Sequence, residues 1–461
     1  MAAKQGKAHC LVLAYPAQGH VNPILQFCKR LEFHNVKVTF VTTRSFWKQA
    51  TITDDSIKSA DSIALEAISD GYDEGADPDV KKSKTYSERF WQAGPPTLCE
   101  LLDKLFSNGL PVDCVIYDSF LPWALDVAKR FGIFVAAFLT QPCFVNSVYF
   151  HLHQGILKLP VIKESKILLP GLPELEPSDL PSFLYLHYGM FPIFWDLLVE
   201  PFDSIEKAGC LISNTVYELE PEVVDWMRKM WPVKTIGPAV PSMFLDKRIQ
   251  HDHNYGISMF QPNKDLYMNW LHHKPQASVV YVSFGSITTL SEDQIEEIAW
   301  GLGLSGNYFL WAVRESEQAK LPKNIQEIVS DKGLIVAWCD QLTVLSHEAV
   351  GCFVTHCGWN STLEALSFGV PMIGVPNWSD QPTNLKYIVD VWKVGLRASM
   401  DEKGILKREK LKRCINEVME SERGKELKSN AVKWMNLVKS SMDEEGSSDK
   451  NITEFVAMIS K

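Results

Sequence analysis

The sequence has no apolar run long enough to cross a bilayer, which takes about 20 residues in a helix. Its first apolar run, Cys10 to Tyr15, is also too short for a secretory signal. Positive charge is scarce as well, with a formal net charge of −10 at pH 7 and a pI near 5.7. Because nucleic acids and anionic membranes bind clustered lysine and arginine, neither is expected as a partner. We expect a cytoplasmic protein without a membrane span.

Paired cysteines are missing too. The ten cysteines lie at irregular intervals and show no CxxC spacing of the kind that binds zinc. We therefore expect reduced thiols in the core and no metal site built from them. What the sequence does contain is 46% hydrophobic residues over 461 positions, which is enough to bury large cores in two domains.

Strands and helices are predicted to alternate in both halves of the chain. At the start, an apolar strand from Cys10 to Ala14 precedes a helix predicted from Pro23, with Asn22 as its N-cap. In the second half, apolar strands are predicted at 278–283 and 308–313, with a helical pattern between them. This alternation predicts an α/β fold with two Rossmann-like domains. The predicted organisation is an N-terminal domain at 1–238, an interdomain linker at 239–256, a C-terminal domain at 257–442 and a tail helix at 443–461.

A predicted strand-to-helix turn carries the most distinctive chemistry. The strand Gly351–Thr355 delivers His356, and a helix is predicted to open at Ser361, which is spaced from Glu364 as in a capping box. Backbone N–H groups and the positive end of the helix dipole point out of such a turn. His356, Asn360 and Ser361 add side-chain donors around them. The turn is therefore predicted to bind an anion such as a diphosphate.

Residues 338–381 carry a longer motif around this turn. The motif opens with Trp338-Cys339-Asp340-Gln341, continues through His356-Cys357-Gly358-Trp359-Asn360-Ser361 and closes with Asp380-Gln381. It resembles the signature box of the plant family-1 UDP-sugar-dependent glycosyltransferases, although Asp340 stands where many members have proline. The resemblance extends over the whole chain and implies the GT-B fold. In that fold two Rossmann-like β/α/β domains face each other across a cleft, and a C-terminal helix returns to the N-terminal domain.

The resemblance also implies roles for individual residues. Trp338 would stack on uracil, Glu364 would hold the ribose hydroxyls, and a terminal Gln381 goes with glucose in much of the family. The implied UDP-binding residues are Ser286, Trp338, Cys339, Gln341, His356, Asn360, Ser361 and Glu364. The implied sugar-binding residues are Thr140, Trp359, Asp380 and Gln381. UDP-glucose is expected as a co-substrate, with no metal and no other cofactor.

Two of these assignments have simpler alternatives. A serine and a glutamate at the spacing of Ser361 and Glu364 form a capping box whether or not a ligand binds. Trp338 also fits a buried position in a core, where tryptophan contributes a large apolar surface. On the sequence alone both alternatives stay open.

His20 is the candidate general base. It is predicted in a loop between the first strand and the first helix, a position where open α/β sheets bind ligands. Glycosyl transfer with inversion needs a base for the proton of the acceptor hydroxyl, and imidazole titrates near neutrality. Asp118, at the end of another predicted strand, would hold one ring nitrogen. The resemblance implies the same pair, whereas on spacing alone such residues are more often structural.

The acceptor is predicted to be a hydrophobic small molecule that receives glucose on a hydroxyl or carboxyl group. Triterpenoids, steroids, flavonoids and phenolics all remain open. The residues assigned to the acceptor pocket, each of which also fits a core position, are Phe120, Phe144, Tyr149, Phe183, Tyr185 and Phe194. We expect a monomer whose partners are the UDP-sugar and this acceptor.

Two further motifs are discounted, and one alternative function remains. Residues Gly301 to Gly306 satisfy GxGxxG but end a predicted helix, the reverse of the order in a dinucleotide fingerprint, which argues against an oxidoreductase. Asp77-Pro78-Asp79 matches the DxD pattern of metal-dependent transferases but lies in a polar, irregular segment. The alternative function is a non-catalytic nucleotide-sugar-binding protein, which would have no need of His20 and Asp118.

Overall fold

The computed structural model describes residues 7–52, 63–75, 77, 80, 83–190, 193–260 and 263–460. The described residues form two compact units. The first unit is drawn from Met1–Pro177, Phe183–Met259 and Ser440–Lys461, and the second from Ser178–Ser182 and Phe260–Lys439. Within these described ranges, no helix combines the length and the apolar character needed to cross a membrane.

The first unit is built on a parallel sheet. Its strands are β1 (His9–Leu13), β2 (Lys37–Thr43), β3 (Thr51–Ile52), β4 (Ile63–Ile68), β5 (Cys114–Asp118), β6 (Phe134–Leu139), β7 (Cys210–Ser213), β8 (Val233–Thr235) and β9 (Ile257–Ser258). Seven of them form the sheet in the order β4-β2-β1-β5-β6-β7-β8, and β3 pairs separately with β9. The helices that connect them are α1 (Gln18–Phe33), α2 (Arg44–Gln49), α3 (Lys84–Ser107), α4 (Trp123–Arg130), α5 (Cys143–His153), α6 (Ile193–Leu198), α7 (Phe202–Ile205) and α8 (Pro221–Met227).

The two central strands of this sheet position the candidate base. Strands β1 and β5 are buried along their whole length, as expected when helices cover both faces of a parallel sheet. Leu13 pairs with Tyr117 in the parallel register. The chain that follows β1 therefore leaves the sheet at the same edge as Asp118, the last residue of β5.

Helix α1 begins earlier than predicted. Its first residue is Gln18, so the predictions that Asn22 caps the helix and that Pro23 opens it are wrong. The N–H groups of His20 and Val21 already donate to the carbonyl of residue 17, each at 2.9 Å, which starts the helix there. Pro23 lies inside the helix rather than at its first position. His20 consequently lies within the first turn of α1 rather than in a loop.

The second unit repeats the parallel α/β design. Its strands are β10 (Val279–Ser283), β11 (Tyr308–Ala312), β12 (Gly333–Val336), β13 (Val350–Thr355), β14 (Met372–Gly374) and β15 (Gly395–Arg397), in the order β12-β11-β10-β13-β14-β15. The helices that begin in this unit are α9 (Lys264–His272), α10 (Glu292–Ser305), α11 (Glu315–Gln318), α12 (Ile325–Val329), α13 (Gln341–Leu345), α14 (Trp359–Phe368), α15 (Gln381–Lys386), α16 (Arg408–Glu420) and α17 (Glu422–Ser440). The predicted α/β fold with two Rossmann-like domains is confirmed.

The glycine-rich segment of the second unit ends a helix. Helix α10 stops at Ser305, and Gly306 adopts a left-handed conformation with φ of 75°. Strand β11 begins two residues later at Tyr308. Glycine is favoured at this position because it has no Cβ to clash in that conformation. The interpretation of Gly301 to Gly306 as a helix stop is confirmed.

The last helix, α18 (Ser447–Ile459), belongs to the first unit. The Ser448 hydroxyl donates to the carbonyl of Gly237 at 2.6 Å. The side-chain amide of Asn451 donates to both the carbonyl and the hydroxyl oxygen of Thr235, each at 2.9 Å. These buried bonds tie the end of the chain to β8 and the turn that follows it.

Candidate functional site

A histidine and an aspartate meet at the carboxyl edge of the first sheet. The Nδ1 atom of His20 lies 2.8 Å from Oδ2 of Asp118. The Asp118 side chain has no exposed surface, whereas 17% of the His20 side chain is exposed. Because Nδ1 is engaged by the carboxylate, Nε2 is the ring nitrogen that can exchange a proton with a ligand.

Backbone groups and aromatic rings hold this pair in place. The N–H groups of Tyr15 and Phe120 donate to the two carboxylate oxygens of Asp118, at 3.3 and 3.1 Å. The rings of Tyr15 and Phe120 lie 5.3 and 4.5 Å from the imidazole, measured between centroids. The hydroxyl of Thr140, the residue after β6, lies 3.4 Å from Nδ1. The structure thus brings together Phe120, Thr140, His20 and Asp118. The Asp118 carboxylate is oriented by the N–H groups of Tyr15 and Phe120 and by the imidazole of His20.

Tyr15 also lies at this site, although no pattern in the sequence indicated it. Burial raises the pKa of its phenol, and the negative charges of Asp118 and Asp70 raise it further. The ring is therefore neutral at any physiological pH. It forms an uncharged wall beside the imidazole.

In the second unit, His356 follows β13 and lies in a different environment. A Cβ on Gly285 would lie 2.8 Å from its Nε2 atom, and a Cβ on Gly358 would lie 2.5 Å from the same atom. The ring therefore packs against two glycine backbones, and Gly285 has a φ of 77° that also favours glycine. Burial lowers the pKa of His356 to about 4. Near neutral pH this imidazole is uncharged and acts as a hydrogen-bonding group rather than a cation.

The turn after His356 is held by a buried amide. Cys357 adopts a left-handed conformation with φ of 64°. The side-chain amide of Asn384 donates to the Cys357 carbonyl at 2.8 Å and to Oδ2 of Asp380 at 2.7 Å. Asn384 therefore connects the predicted sugar-binding residue Asp380 to the predicted diphosphate-binding turn.

Helix α14 starts at this turn, with Gly358 as its N-cap and no side-chain cap. The prediction that the helix opens at Ser361 is wrong, because the helix begins at Trp359, two residues earlier. The alternative in which Ser361 and Glu364 form a capping box is excluded for the same reason. Ser361 therefore lies inside the first turn and Glu364 lies in the second turn. The positive end of the helix dipole lies at the residues predicted to hold the diphosphate.

Ser361 and Glu364 instead share a hydrogen-bond donor from outside the helix. The Nε2 atom of Gln341 donates to Oγ of Ser361 at 2.8 Å and to Oε2 of Glu364 at 2.6 Å. The Oε1 atom of Gln341 accepts a bond from the hydroxyl of Tyr281 at 3.1 Å. The structure thus brings three predicted UDP-binding residues into one network, and it adds Tyr281.

The start of the signature box is organised around Trp338. This side chain is partly exposed, and its ring stacks on Phe260 with centroids 4.0 Å apart. Asp340 is the N-cap of α13, accepting bonds from the backbone and side chain of Thr343. The Asp340 N–H also donates to the hydroxyl oxygen of the buried Tyr267 at 3.2 Å. Proline, which many family members have here, has no N–H for this bond.

Ser286 lies on the loop after β10, and a half-buried arginine holds that loop. The guanidinium of Arg314 donates to the carbonyl of Ser286 at 2.7 Å and to the carbonyl of Thr288. The loop also packs on His356 through Gly285. Arg314 follows β11 in a different part of the sequence, so no local pattern indicated its role.

The predicted sugar-binding residues of the second unit are buried at a tight turn. Asp380 and Gln381 are 7% and 4% exposed. The Oε1 atom of Gln381 accepts the N–H groups of Asn377 and Trp378, at 2.7 and 3.0 Å. Its Nε2 is therefore the end of the amide suited to meet a ligand. Trp359 is buried, and Thr140, assigned to the sugar on resemblance, lies in the first unit beside His20.

The residues assigned to the acceptor pocket occupy different kinds of position. Phe120 contacts His20, as described above. Phe144 and Tyr149 are fully buried in α5, and Phe183 packs on Tyr149 with ring centroids 5.6 Å apart. Tyr185 is partly exposed, and the side chain of Phe194 lies outside the described residues.

No group of three or more histidine, cysteine, aspartate or glutamate side chains suited to a metal ion occurs in the described part of the chain. All ten cysteines are free thiols, and nine of them are buried. Asp79 of the DxD pattern lies outside the described residues. The structure therefore leaves that pattern untested.

Two Rossmann-like units, one with a turn predicted to bind an anion, are typical of proteins that handle nucleotides. The family model described as UDP-glucoronosyl and UDP-glucosyl transferase matches residues 224–441. The chain is 45% identical over 457 residues to Mogroside I-E synthase of Siraitia grosvenorii, with 99% of each chain covered. It is 46% identical over 452 residues to Crocetin glucosyltransferase 2 of Crocus sativus, covering 98% of this chain and 96% of that one.

A solved structure has the same fold over nearly the full length. Os79 from O. sativa in complex with UDP is 40% identical, with a TM-score of 0.91, and the match covers 98% of this chain and 100% of that one. The chain belongs to the UDP-glycosyltransferase family. The predicted resemblance to its plant members is confirmed.

Proposed function

We propose that this chain is an inverting glucosyltransferase that moves glucose from UDP-glucose to a hydroxyl, or a carboxyl, of a hydrophobic small molecule. The observation that carries the proposal is the 2.8 Å bond between His20 and the fully buried Asp118 at the carboxyl edge of the first sheet. A protein that only bound a nucleotide sugar would have no use for this pair. Family membership supports the transferase chemistry.

In the proposed reaction His20 is the general base. Its Nε2 takes the proton of the acceptor hydroxyl as the acceptor oxygen forms a bond to C1 of glucose. The bond between C1 and the diphosphate oxygen breaks, and its electron pair leaves with UDP. Asp118 keeps the imidazole in the required tautomer and stabilises the imidazolium that forms. The acceptor oxygen enters opposite to the leaving diphosphate, which inverts the configuration at C1.

The second unit is proposed to bind the donor. Trp338 stacks on uracil, Glu364 holds the ribose, and the start of α14 stabilises the negative charge that develops on UDP. The residues proposed to bind UDP are Ser286, Trp338, Cys339, Gln341, His356, Asn360, Ser361 and Glu364. Those proposed to contact the sugar are Thr140, Trp359, Asp380 and Gln381. A neutral His356 suits this role because it donates one hydrogen bond without the cost of burying a second charge.

The proposal of glucose rests on Gln381 and on a relative whose name is Crocetin glucosyltransferase 2. The acceptor is proposed to be a triterpenoid, steroid, flavonoid or phenolic, and Phe120 lies beside the base as an apolar contact. Nucleic acids and membranes are not proposed partners, because the net charge is −10. We propose that the enzyme acts as a cytoplasmic monomer, with UDP-glucose as a co-substrate and no resident cofactor.

The direct test is to incubate the protein with UDP-glucose and a panel of aglycones and to measure product masses. The expected result is the mass of one added hexose on at least one aglycone. UDP-galactose serves as the matched donor, and equal rates with both donors would refute the preference for glucose. A protein that binds UDP but adds hexose to no aglycone would support the alternative of a non-catalytic binding protein.

A further inference from the structure

The buried residue Tyr281 lies behind the predicted nucleotide site without reaching its surface. It lies on β10, is 1% exposed, and pairs in register with Phe353 of β13. The two rings stack with centroids 4.9 Å apart and planes 17° from parallel. Two paired strands and this stacking fix the phenol, so its hydroxyl is held in one position.

The Tyr281 hydroxyl has a partner on each side. It donates to Oε1 of Gln341 at 3.1 Å, and the Sγ atom of Cys339 lies 3.3 Å away. Burial raises the pKa of the Cys339 thiol to about 12 and raises the pKa of Tyr281 well above its ordinary value. Both groups therefore keep their protons and remain donors. The thiol can donate to the phenol oxygen, and the phenol donates to the amide.

The hydrogen bonds continue from Tyr281 through Gln341 into the predicted UDP site. Its Nε2 atom donates to Ser361 and to Glu364, at 2.8 and 2.6 Å. An amide turned end for end would place Oε1 against the Glu364 carboxylate, two acceptors in contact. The carboxylate of Glu364 therefore selects the orientation in which Nε2 faces it, and in that orientation Oε1 accepts the hydroxyl of Tyr281.

The orientation of the Gln341 amide affects how Ser361 and Glu364 can bind a nucleotide. Because Ser361 accepts from Gln341, its own O–H is directed away from the amide and remains a donor for an anion. The same amide holds Oε2 of Glu364, which restricts the rotation of the carboxylate. The amide thus links the residue predicted at the phosphate end to the residue predicted at the ribose end.

We propose that Tyr281 is a positioning residue for the nucleotide, acting through Gln341 to orient Ser361 and Glu364. This inference rests on the proposed function, because it assigns a role within the same UDP site. Tyr281 touches no substrate, so it is not a catalytic residue. Its effect is expected on donor affinity and on the donor KM, with little change in kcat at saturating UDP-glucose.

The test is calorimetric titration of UDP into four proteins: wild type, Tyr281→Phe, Gln341→Ala and the double variant. Tyr281→Phe removes only the hydroxyl, and loss of one buried hydrogen bond is expected to weaken UDP binding by roughly 3- to 10-fold. In the Gln341→Ala background the same change is expected to alter the UDP dissociation constant by less than about twofold.

Tyr267→Phe is the matched control. Tyr267 is also buried and its hydroxyl also bonds the signature box, but at the Asp340 N–H rather than at the Gln341 amide. It is expected to lower thermal stability while leaving UDP affinity within about twofold of wild type. A general packing effect would instead weaken UDP binding equally in Tyr281→Phe and Tyr267→Phe.

Two results would overturn this inference but not the proposed function. One is wild-type UDP affinity in Tyr281→Phe. The other is that Tyr281→Phe weakens UDP binding by the same factor in the wild-type and Gln341→Ala backgrounds. A wild-type protein that binds no UDP would overturn the proposed function as well. The two failures are therefore distinguishable in one set of titrations.

Discussion

His20 and His356 occupy similar places in the two units and have opposite surroundings. Each follows a central strand of a parallel sheet, His20 after β1 and His356 after β13. His20 has a buried carboxylate 2.8 Å from Nδ1. His356 instead packs between the backbones of Gly285 and Gly358. Each unit therefore has a histidine after a central strand, and its neighbours decide what the imidazole can do.

The physical difference is one of charge. A carboxylate beside an imidazole stabilises the protonated ring, which is the state a general base reaches during reaction. Burial lowers the pKa of His356 to about 4, so this ring is neutral near pH 7. The first unit is therefore suited to moving a proton, and the second unit to binding an anion with neutral donors.

The largest expected effect is the loss of turnover when the proposed base of the first unit is removed. His20→Ala is expected to lower kcat on an alcohol acceptor by roughly 10²- to 10⁴-fold, the usual contribution of a general base. Initial rates at saturating UDP-glucose measure this. The exposed His253 of the same unit provides the control, and His253→Ala should retain wild-type rates. Near-normal turnover of His20→Ala would remove His20 from its proposed role.

A change in the second unit should act on binding instead. Glu364→Ala is expected to weaken UDP by roughly 10- to 100-fold, because a hydrogen bond to a charged group contributes about 1.5 to 3 kcal/mol. Calorimetry gives the dissociation constant, and Glu364→Gln keeps the shape while removing the charge. An unchanged dissociation constant in both variants would mean that Glu364 only supports the Gln341 amide.

Arg314, which holds the loop after β10, should have a smaller effect on UDP affinity than Glu364. Arg314→Ala leaves the carbonyls of Ser286 and Thr288 without the guanidinium, so the loop is less ordered. UDP affinity is expected to fall by about 3- to 10-fold, and Arg314→Lys should not restore it, because one ammonium does not reproduce the planar fork. Arg423, on the exposed surface of the same unit, is the control position. Full rescue by lysine would show that only the positive charge matters.

The last contrast concerns a buried carboxyl of the first unit. Glu220 accepts the N–H groups of Cys143 and Phe144 at 3.1 and 2.7 Å and bonds the Thr215 hydroxyl, which holds the start of α5. Burial raises its pKa from 4.5 to about 7, although these donors lower it. The folded protein therefore keeps a proton that the unfolded chain loses above about pH 4.5.

The stability that this proton provides is present below pH 4.5 and is lost as pH rises through about 7. The effect is on the order of 3 kcal/mol at most. Glu220→Gln has no such titration, so the difference in unfolding free energy between wild type and variant should shrink as pH rises from about 5 to 8. Urea unfolding at several pH values measures it. A difference that does not change with pH would contradict the assigned protonation.

Local patterns predicted the parts of the site that depend on neighbouring residues. The strand ending at Asp118 and the helix stop at Gly306 follow from apolar runs and from glycine in a left-handed turn. The start of α14 was misplaced because Gly358, with no side chain, caps the helix where a serine was expected to do so. Glycine at an N-cap leaves no side-chain signal in the sequence.

Contacts between distant segments were beyond prediction. Tyr281 and Cys339 are 58 positions apart, and Arg314 and Ser286 are 28 apart. Arg314 and Ser286 meet because they follow neighbouring parallel strands, β11 and β10, whereas Tyr281 reaches Cys339 from within β10. Nothing in the local sequence of Tyr281 distinguishes it from a core tyrosine. The family resemblance supplied the residues proposed to bind the substrates, whereas the residues that contact and orient them were visible only in the structure.

The division of labour between the two histidines is tested most directly by titrating UDP into His20→Ala and His356→Ala side by side. The account predicts that His20→Ala binds UDP as wild type does, and that His356→Ala binds it more weakly. Equal losses in both variants, or weaker binding only in His20→Ala, would contradict it.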